Sequence, residues 1–483
     1  MSRRSRVALL LVIGAWLMTP GCSRTPADLR VVGSVGDREI DARRLKRSYE
    51  LSPQWRKGMT NREAHLRQLD YIMVNAMYAA EARREGLERD SNVAAHVAFL
   101  RDKELIKALY EREVRGRVLI SEAEYADGYR WLKRAVSFDF IYSPDSARAV
   151  RYGRQLRVDS LPAITMLDPV ADVKGTRKGV KYGELASELE RPLFDGRPGD
   201  VAGPIYIRDG FMVVKVVGGE VDRFMSDMDF AAQKNRVGAI IGNRKADSLA
   251  RGYIGRLMQD KGLTLNPETF WALAPVLAQR IRAVPADPFG VAPVNVTDRD
   301  LWRVEDDLGS LETQVLATYR DGSMTAGGFV TALAAMPPGL RPPLQSPQHL
   351  KDAVAIIVRN RYLAEAAREM GLEDDPDVRR NIEEQVDDAL ARLWLIRQIE
   401  GIPVTAADID AYRQAGGNAP DETARMEEIR RRKLGATIPG ILDRLRRQYE
   451  PDIDTTALLT MIPQPEERIG SDPTPFVVRE LFQ

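Results

Sequence analysis

The 483-residue chain contains one cysteine, three histidines and almost no net charge. A lone thiol rules out an internal disulfide, so this fold is not stapled by oxidation. His65, His96 and His349 have no Cys, Asp or Glu at ligand spacing, and no metal is expected. Lys and Arg total 71 against 70 Asp and Glu, which excludes nucleic-acid binding through a bulk basic surface. No run of 18 apolar residues occurs anywhere, so no membrane-spanning helix is expected. Nucleophile elbows, phosphate loops and paired catalytic carboxylates are missing too; Gly33-x-x-Gly36 belongs to a hairpin pattern. No cofactor follows from any of these residues. Charged residues make up 29%, with little low-complexity sequence, which reads as a folded, soluble chain of about three domains.

What is present is a repeat. Tyr78–Asp90 (YAAEARREGLERD) resembles Tyr362–Asp375 (YLAEAAREMGLEDD), and His65-Leu66 matches His349-Leu350 at an offset of 349 − 65 = 284. Ser121 (SEAE) lies over Thr405 (TAAD) at the same offset. Gly252–Leu257 then matches Gly440–Leu445 at 440 − 252 = 188, so the second copy lacks 284 − 188 = 96 residues, the size of a small domain. Each copy opens with a hairpin pattern, around Gly36-Asp37 or Asp321-Gly322. Helix starts recur at Thr60-x-x-Glu63, Ser346-Pro347, Ser121-x-x-Glu124 and Thr405-x-x-Asp408. Gly86 and Gly371 stop helices as C′ glycines do. Long charged helices, about 231–261 and 422–449, precede short strands at Leu263–Leu265 and Asp452-Ile453. The expectation is that each closing strand pairs with the hairpin opening its own copy.

The N-terminus carries Arg3, Arg4 and Arg6, then 12 apolar-rich residues from Val7 to Met18, then Thr-Pro-Gly-Cys22. That is an export-signal pattern, too short to span a bilayer comfortably. The placement of Cys22 is similar to that in bacterial lipoprotein signals, which implies lipidation of Cys22 and membrane attachment. Ser23 behind it fits the outer membrane by the same analogy. Ordinary cleavage leaving a free Cys22 is the alternative.

The segment unique to the first copy has strand-like runs at Val136–Tyr142 and Gly210–Val216 and a helix pattern over Ser146–Leu156. Its run PLFDGRPGDVAGPIYIRDGFMVVKV resembles the C-terminal half of a parvulin-type peptidyl-prolyl isomerase domain, and the flanking copies resemble the chaperone domain of SurA-type and PrsA-type foldases. The implied fold is mostly α with small β elements: two helical chaperone units in tandem, the first carrying an inserted α/β parvulin-like domain. The implied boundaries are a signal over 1–22, a first unit over 30–135 plus 223–275, an insert over 136–222, a linker over 276–300, a second unit over 301–465 and a tail over 466–483. Carried onto this sequence, the family's first-strand histidine falls on Asp139 and its last-strand histidine on Met212. The phenylalanine of its central helix falls on Leu189, and Phe194 ends that helix. Asp168 and Asp172 fall in the region of its cysteine or aspartate. With both histidines replaced, the resemblance implies an exported chaperone with a degenerate isomerase domain, whose partners are unfolded secreted or outer-membrane polypeptides, not nucleic acid. An active isomerase with an altered network and a non-catalytic scaffold of an envelope assembly are the alternatives.

Overall fold

The computed structural model describes residues 29–167, 173–207, 210–223, 226–281, 296–419, 421–462 and 467–470. Cys22 and the signal pattern, Asp168, Asp172 and most of the expected linker lie outside them. In chain order, β1 (Val31–Val35) and β2 (Arg38–Asp41) form a hairpin, followed by α1 (Ala42–Leu51), α2 (Asn61–Arg84), α3 (Ser91–Glu113) and α4 (Glu122–Leu132). Then come β3 (Arg134–Ser143), α5 (Ser146–Val158), α6 (Leu161–Leu167), β4 (Val173–Lys181), α7 (Ser187–Phe194), β5 (Val201–Ile207) and β6 (Gly210–Val221). Next are α8 (Asp227–Met258), β7 (Thr264–Leu265), α9 (Pro267–Arg280) and α10 (Asp298–Leu308), and then the hairpin of β8 (Val315–Tyr319) and β9 (Gly322–Thr325). The chain finishes with α11 (Ala326–Ala335), α12 (Pro347–Glu369), α13 (Pro376–Glu400), α14 (Ala406–Gln414), α15 (Glu422–Tyr449), β10 (Asp452–Ile453) and α16 (Thr455–Leu459). The described residues are thus mostly helical with three small sheets.

The start signals act as read. Thr60, Ser121 and Thr405 each accept from the N3 backbone while the N3 carboxylate returns to the cap N–H, satisfying two orphan donors per helix. Ser346 caps α12 with Pro347 at its first position. Gly86 and Gly371 take φ of 75° and 70° behind α2 and α12, a conformation that glycine alone adopts freely.

The described residues fall into two compact units, Met1–Val97 with Glu383–Gln483 and Ala98–Ile382. This differs from the expected division at the 276–300 linker, and the strand pairing shows why. The closing strand β10 pairs with β1 (Gly33 opposite Ile453), and the closing strand β7 pairs with β8 (Leu265 opposite Ala317). β10 therefore completes the β1–β2 hairpin and β7 the β8–β9 hairpin, the reverse of the expected pairing. The flanking bonds match as well: Asp454 N donates to Val32 O at 3.1 Å and Asn266 N to Leu316 O at 2.9 Å.

In the first unit, fully buried Glu81 of α2 accepts from Tyr449 Oη at 2.9 Å and Gln448 Nε2 at 2.7 Å on α15. Trp394 stacks on Tyr78 at 4.9 Å and donates to Glu85. In the second unit, one core gathers α9 to α12 around β8 and β9, including Leu273, Leu316, Phe329 and Val354.

The two helix pairs that follow the Ser121 and Thr405 caps share a clasp. Lys245 of α8 donates to Leu119 O at 2.6 Å and to Glu124 at 2.8 Å. Lys433 of α15 donates to Pro403 O at 2.9 Å and to Asp408 at 2.8 Å. The lysines are 433 − 245 = 188 apart and the acceptors 403 − 119 = 284 and 408 − 124 = 284 apart, the two offsets of the repeat. The hydrogen bond from Lys245 holds the Glu124 carboxyl down at about 2, and that from Lys433 holds Asp408 well below the usual carboxylate range.

Candidate functional site

The site stands on the four-stranded antiparallel sheet, ordered β4-β3-β6-β5. Successive side chains of a strand point to opposite faces, so each strand serves two cores. On one face Val136, Phe138, Val214 and Val216 meet Leu189, Leu193 and Phe194 of α7. On the other, Ile141 and Val213 meet Ala149, Tyr152 and Leu156 of α5 and Ile164 of α6.

The short helix α7 is two-sided. Leu189, Leu193 and Phe194 recur at helical spacing and are buried against the sheet. Its other side is tied to the α4–α8 pair. Glu190, only 1% exposed, takes a bidentate ion pair from Arg244, with Nη2 to Oε1 at 2.5 Å, and accepts from Gly183 N at 2.9 Å. Asp195 accepts from Trp131 Nε1 at 2.8 Å and Arg130 at 2.9 Å. Arg134 closes the helix end by donating to the carbonyls of Phe194 and Gly196. Position 196 must be glycine, because a Cβ there would stand 2.4 Å from the Pro192 carbonyl oxygen.

Three of the expected positions come together. Leu189 and Phe194 are buried in the α7 core, and Met212 packs against it half-buried, beside Phe140, Ile205 and Ile207 in the same state. These half-buried side chains form an apolar margin, the cup, at the edge of the α7 core. Asp139 is not part of it. It pairs in register with Thr176 and Lys215, and its carboxylate accepts from the Thr176 hydroxyl at 2.5 Å. Strand alternation puts it with Ile141 on the α5 face, and the residue facing the cup is Phe138, 2% exposed. Asp139 therefore lies on the opposite face and Phe138, one residue earlier, takes the inward position, since a step of one residue along a strand turns the side chain to the other face.

Phe138, Phe140, Ile205 and Ile207 were missed in the sequence. The signal for the first two was there: Val136, Phe138 and Phe140 are apolar at alternate positions while Ser137 and Asp139 between them are polar. β4 was missed as a strand altogether. Its sequence, VKGTRKGVK, carries four cations and two glycines, as suits a sheet edge.

The histidines stay out of the sheet. His65 stacks on Tyr49 at 4.5 Å and donates through Nδ1 to Asn61 O, and His349 Nδ1 is buried without a hydrogen-bond partner. Among the described residues no cluster of His, Cys, Asp and Glu could hold a metal ion, and no helix is long and apolar enough to cross a membrane. Comparison of the chain with protein-family models, with curated proteins and with solved structures finds no match.

Proposed function

We propose that this protein is an extracytoplasmic chaperone of the foldase type that holds unfolded secreted or outer-membrane polypeptides, with a degenerate isomerase-like module set into the first of two related helical units. The observation that carries this reading is the half-buried apolar margin of the α7 core, formed by Phe140, Ile205, Ile207 and Met212. Burying one aliphatic, aromatic or proline side chain there contributes about 1.5–3 kcal/mol, so each such contact is weak, exchangeable and unselective, and capture needs several of them. Of the two positions the family resemblance assigns to histidines, Asp139 lies on the opposite face of the sheet and Met212 beside the α7 core; neither Met212 nor Phe138, which faces that core, can order a hydrogen-bond network beneath a twisted amide. The element order of the module (strand, two helices, strand, helix, two strands) and its place between α4 and α8 support the resemblance, and the shared lysine clasp supports reading the flanking pairs as copies of one unit. Membrane attachment through a lipidated Cys22 belongs to the same proposal.

The test is suppression of aggregation of thermally denatured citrate synthase by the chain from Ser23 onward. Suppression at several-fold excess is expected, weakened by Met212→Asp, which sets a charge on that margin. No suppression at that excess sinks the reading. A proline-peptide assay on the same protein is expected to show no acceleration; a rate that Met212→Asp abolishes would replace the holdase with an active isomerase.

A further inference from the structure

An extended stretch of the chain lies on the first unit as a bound peptide would. Ile469 N donates to Met59 O at 2.8 Å, Gly58 N donates to Ile469 O at 2.8 Å, and Asn61 N donates to Glu467 O at 3.1 Å. Thr60 and Arg468 face one another as an isolated antiparallel bridge, and the Arg468 guanidinium donates to Gly58 O at 2.8 Å. Glu467, Arg468 and Gly470 are exposed, and Ile469 alone is half-buried. The attachment is therefore almost entirely main chain to main chain, which any extended sequence with free N–H and C=O groups can make.

The receiving edge keeps its shape by local means. Thr60 is the N-cap of α2, at φ −72° and ψ 159°, fixed there by its capping box with Glu63. Asn61 O is engaged by His65 Nδ1 at 2.7 Å, and the His65 ring begins a half-buried stack through Tyr49 at 4.5 Å to Trp55 at 5.8 Å. The edge thus offers backbone partners and is anchored through His65 to a half-buried aromatic stack, in which the indole Nε1 of Trp55 is buried with no partner.

We propose that Gly58–Asn61 is an acceptor edge for extended polypeptide, that residues 467–470 are its resident occupant, and that an apolar-containing extended stretch of an unfolded client displaces them. This rests on the holdase reading and adds a second contact for the client, one made through its backbone.

The test uses the full chain from Ser23 and measures, by fluorescence anisotropy, its binding of labelled reduced, carboxymethylated α-lactalbumin, a permanently unfolded probe. Ile469→Pro removes the tail's donor to Met59 and frees the edge, so affinity is expected to rise about fivefold, the worth of one net hydrogen bond of ~1 kcal/mol. Asn61→Pro removes the edge's own donor to Glu467. Proline is tolerated at the first helical position, and Thr60 before it is already extended, so α2 persists. The Ile469→Pro/Asn61→Pro double variant is expected to lose the gain. Should Ile469→Pro fold poorly, ending the chain at Ile462 removes the occupant outright, with all of its hydrogen bonds, and must give at least that rise. Unchanged affinity on freeing the edge, or a gain that survives Asn61→Pro, overturns the proposal. If wild type still suppresses aggregation in that case, the acceptor edge alone is lost; if no form binds or suppresses, the holdase reading goes with it.

Discussion

The α4–α8 and α14–α15 pairs use the same lysine clasp but differ in what lies between their helices. From α14 to α15 the chain crosses in a short turn, where Gly417 packs so closely on Tyr412 that a Cβ would sit 2.3 Å from its ring. Between α4 and α8 stands the whole four-stranded module. Both pairs also close with a tyrosine donating to an acid of the long helix, Tyr129 to Asp229 at 2.5 Å and Tyr412 to Glu428 at 2.7 Å. The comparison teaches that the two pairs make the same contacts although very different lengths of chain lie between their helices. The module must therefore be oriented by contacts of its own, and α7 supplies them through Glu190, Asp195 and the carbonyls at its end.

Breaking those contacts is expected to separate the two regions, and the largest effects should lie on α7. Arg244→Ala strands the buried carboxylate of Glu190 and is expected to cost about 3–5 kcal/mol by urea unfolding. Arg244→Met with Glu190→Leu, which removes both charges, should recover most of it. Phe194→Ala, at a side chain with no exposure, is expected to cost about 3–5 kcal/mol through the cavity it leaves. Neither change should disturb the α14–α15 pair, which amide exchange on the Lys433 turn can follow. A loss of protection there would mean that the two regions are coupled.

Acid offers a smaller test on the shared clasp. Glu124 titrates at about 2 in the folded protein because Lys245 hydrogen-bonds it, against about 4.3 in an unfolded chain. Its folded value is depressed, so the stability it contributes is present above about pH 4.5 and is lost as pH falls toward 2. Asp408 is depressed for the same reason through Lys433, so both pairs should weaken over the same acid range. Lys245→Met should flatten the thermal midpoint's pH dependence between pH 5 and 2 for the first pair, and Lys433→Met for the second. A slope unchanged by both would show that the clasps carry no linkage. The smallest effect is expected from Asp139→Ala, whose carboxylate accepts from the Thr176 hydroxyl on the face away from the cup. Client binding should not move, and a clear loss would return Asp139 to the site.

Much of this was legible because it is local. Thr60, Ser121 and Thr405 advertise their helices through residues three positions away, and Gly86 and Gly371 end them within one turn, so no distant partner is needed. Leu189, Phe194 and Met212 came from the family resemblance, and they meet at one core because each is apolar and faces the same side of the sheet. Asp139 was misplaced because a resemblance aligns residues without stating which face they take, although the alternation through Val136, Phe138 and Phe140 would have settled it. β4 escaped because an edge strand carries the charges and glycines of a loop.

Helix starts, helix ends, the repeat and the apolar character of the cup are thus properties of the sequence by itself, since each depends on neighbours within a turn or on composition alone. The choice of hairpin for each closing strand belongs to the tertiary structure. β7 and β10 are two residues each and bond through main chain only, so nothing in their side chains names a partner. Loop closure does not discriminate either. The observed pairings span 318 − 264 = 54 and 452 − 34 = 418 residues, and the alternatives 264 − 34 = 230 and 452 − 318 = 134. Their combined closure entropies differ by about 0.3 kcal/mol. With local signals silent and chain entropy balanced, packing of the helices leading into each strand decides, and only the folded molecule contains that information.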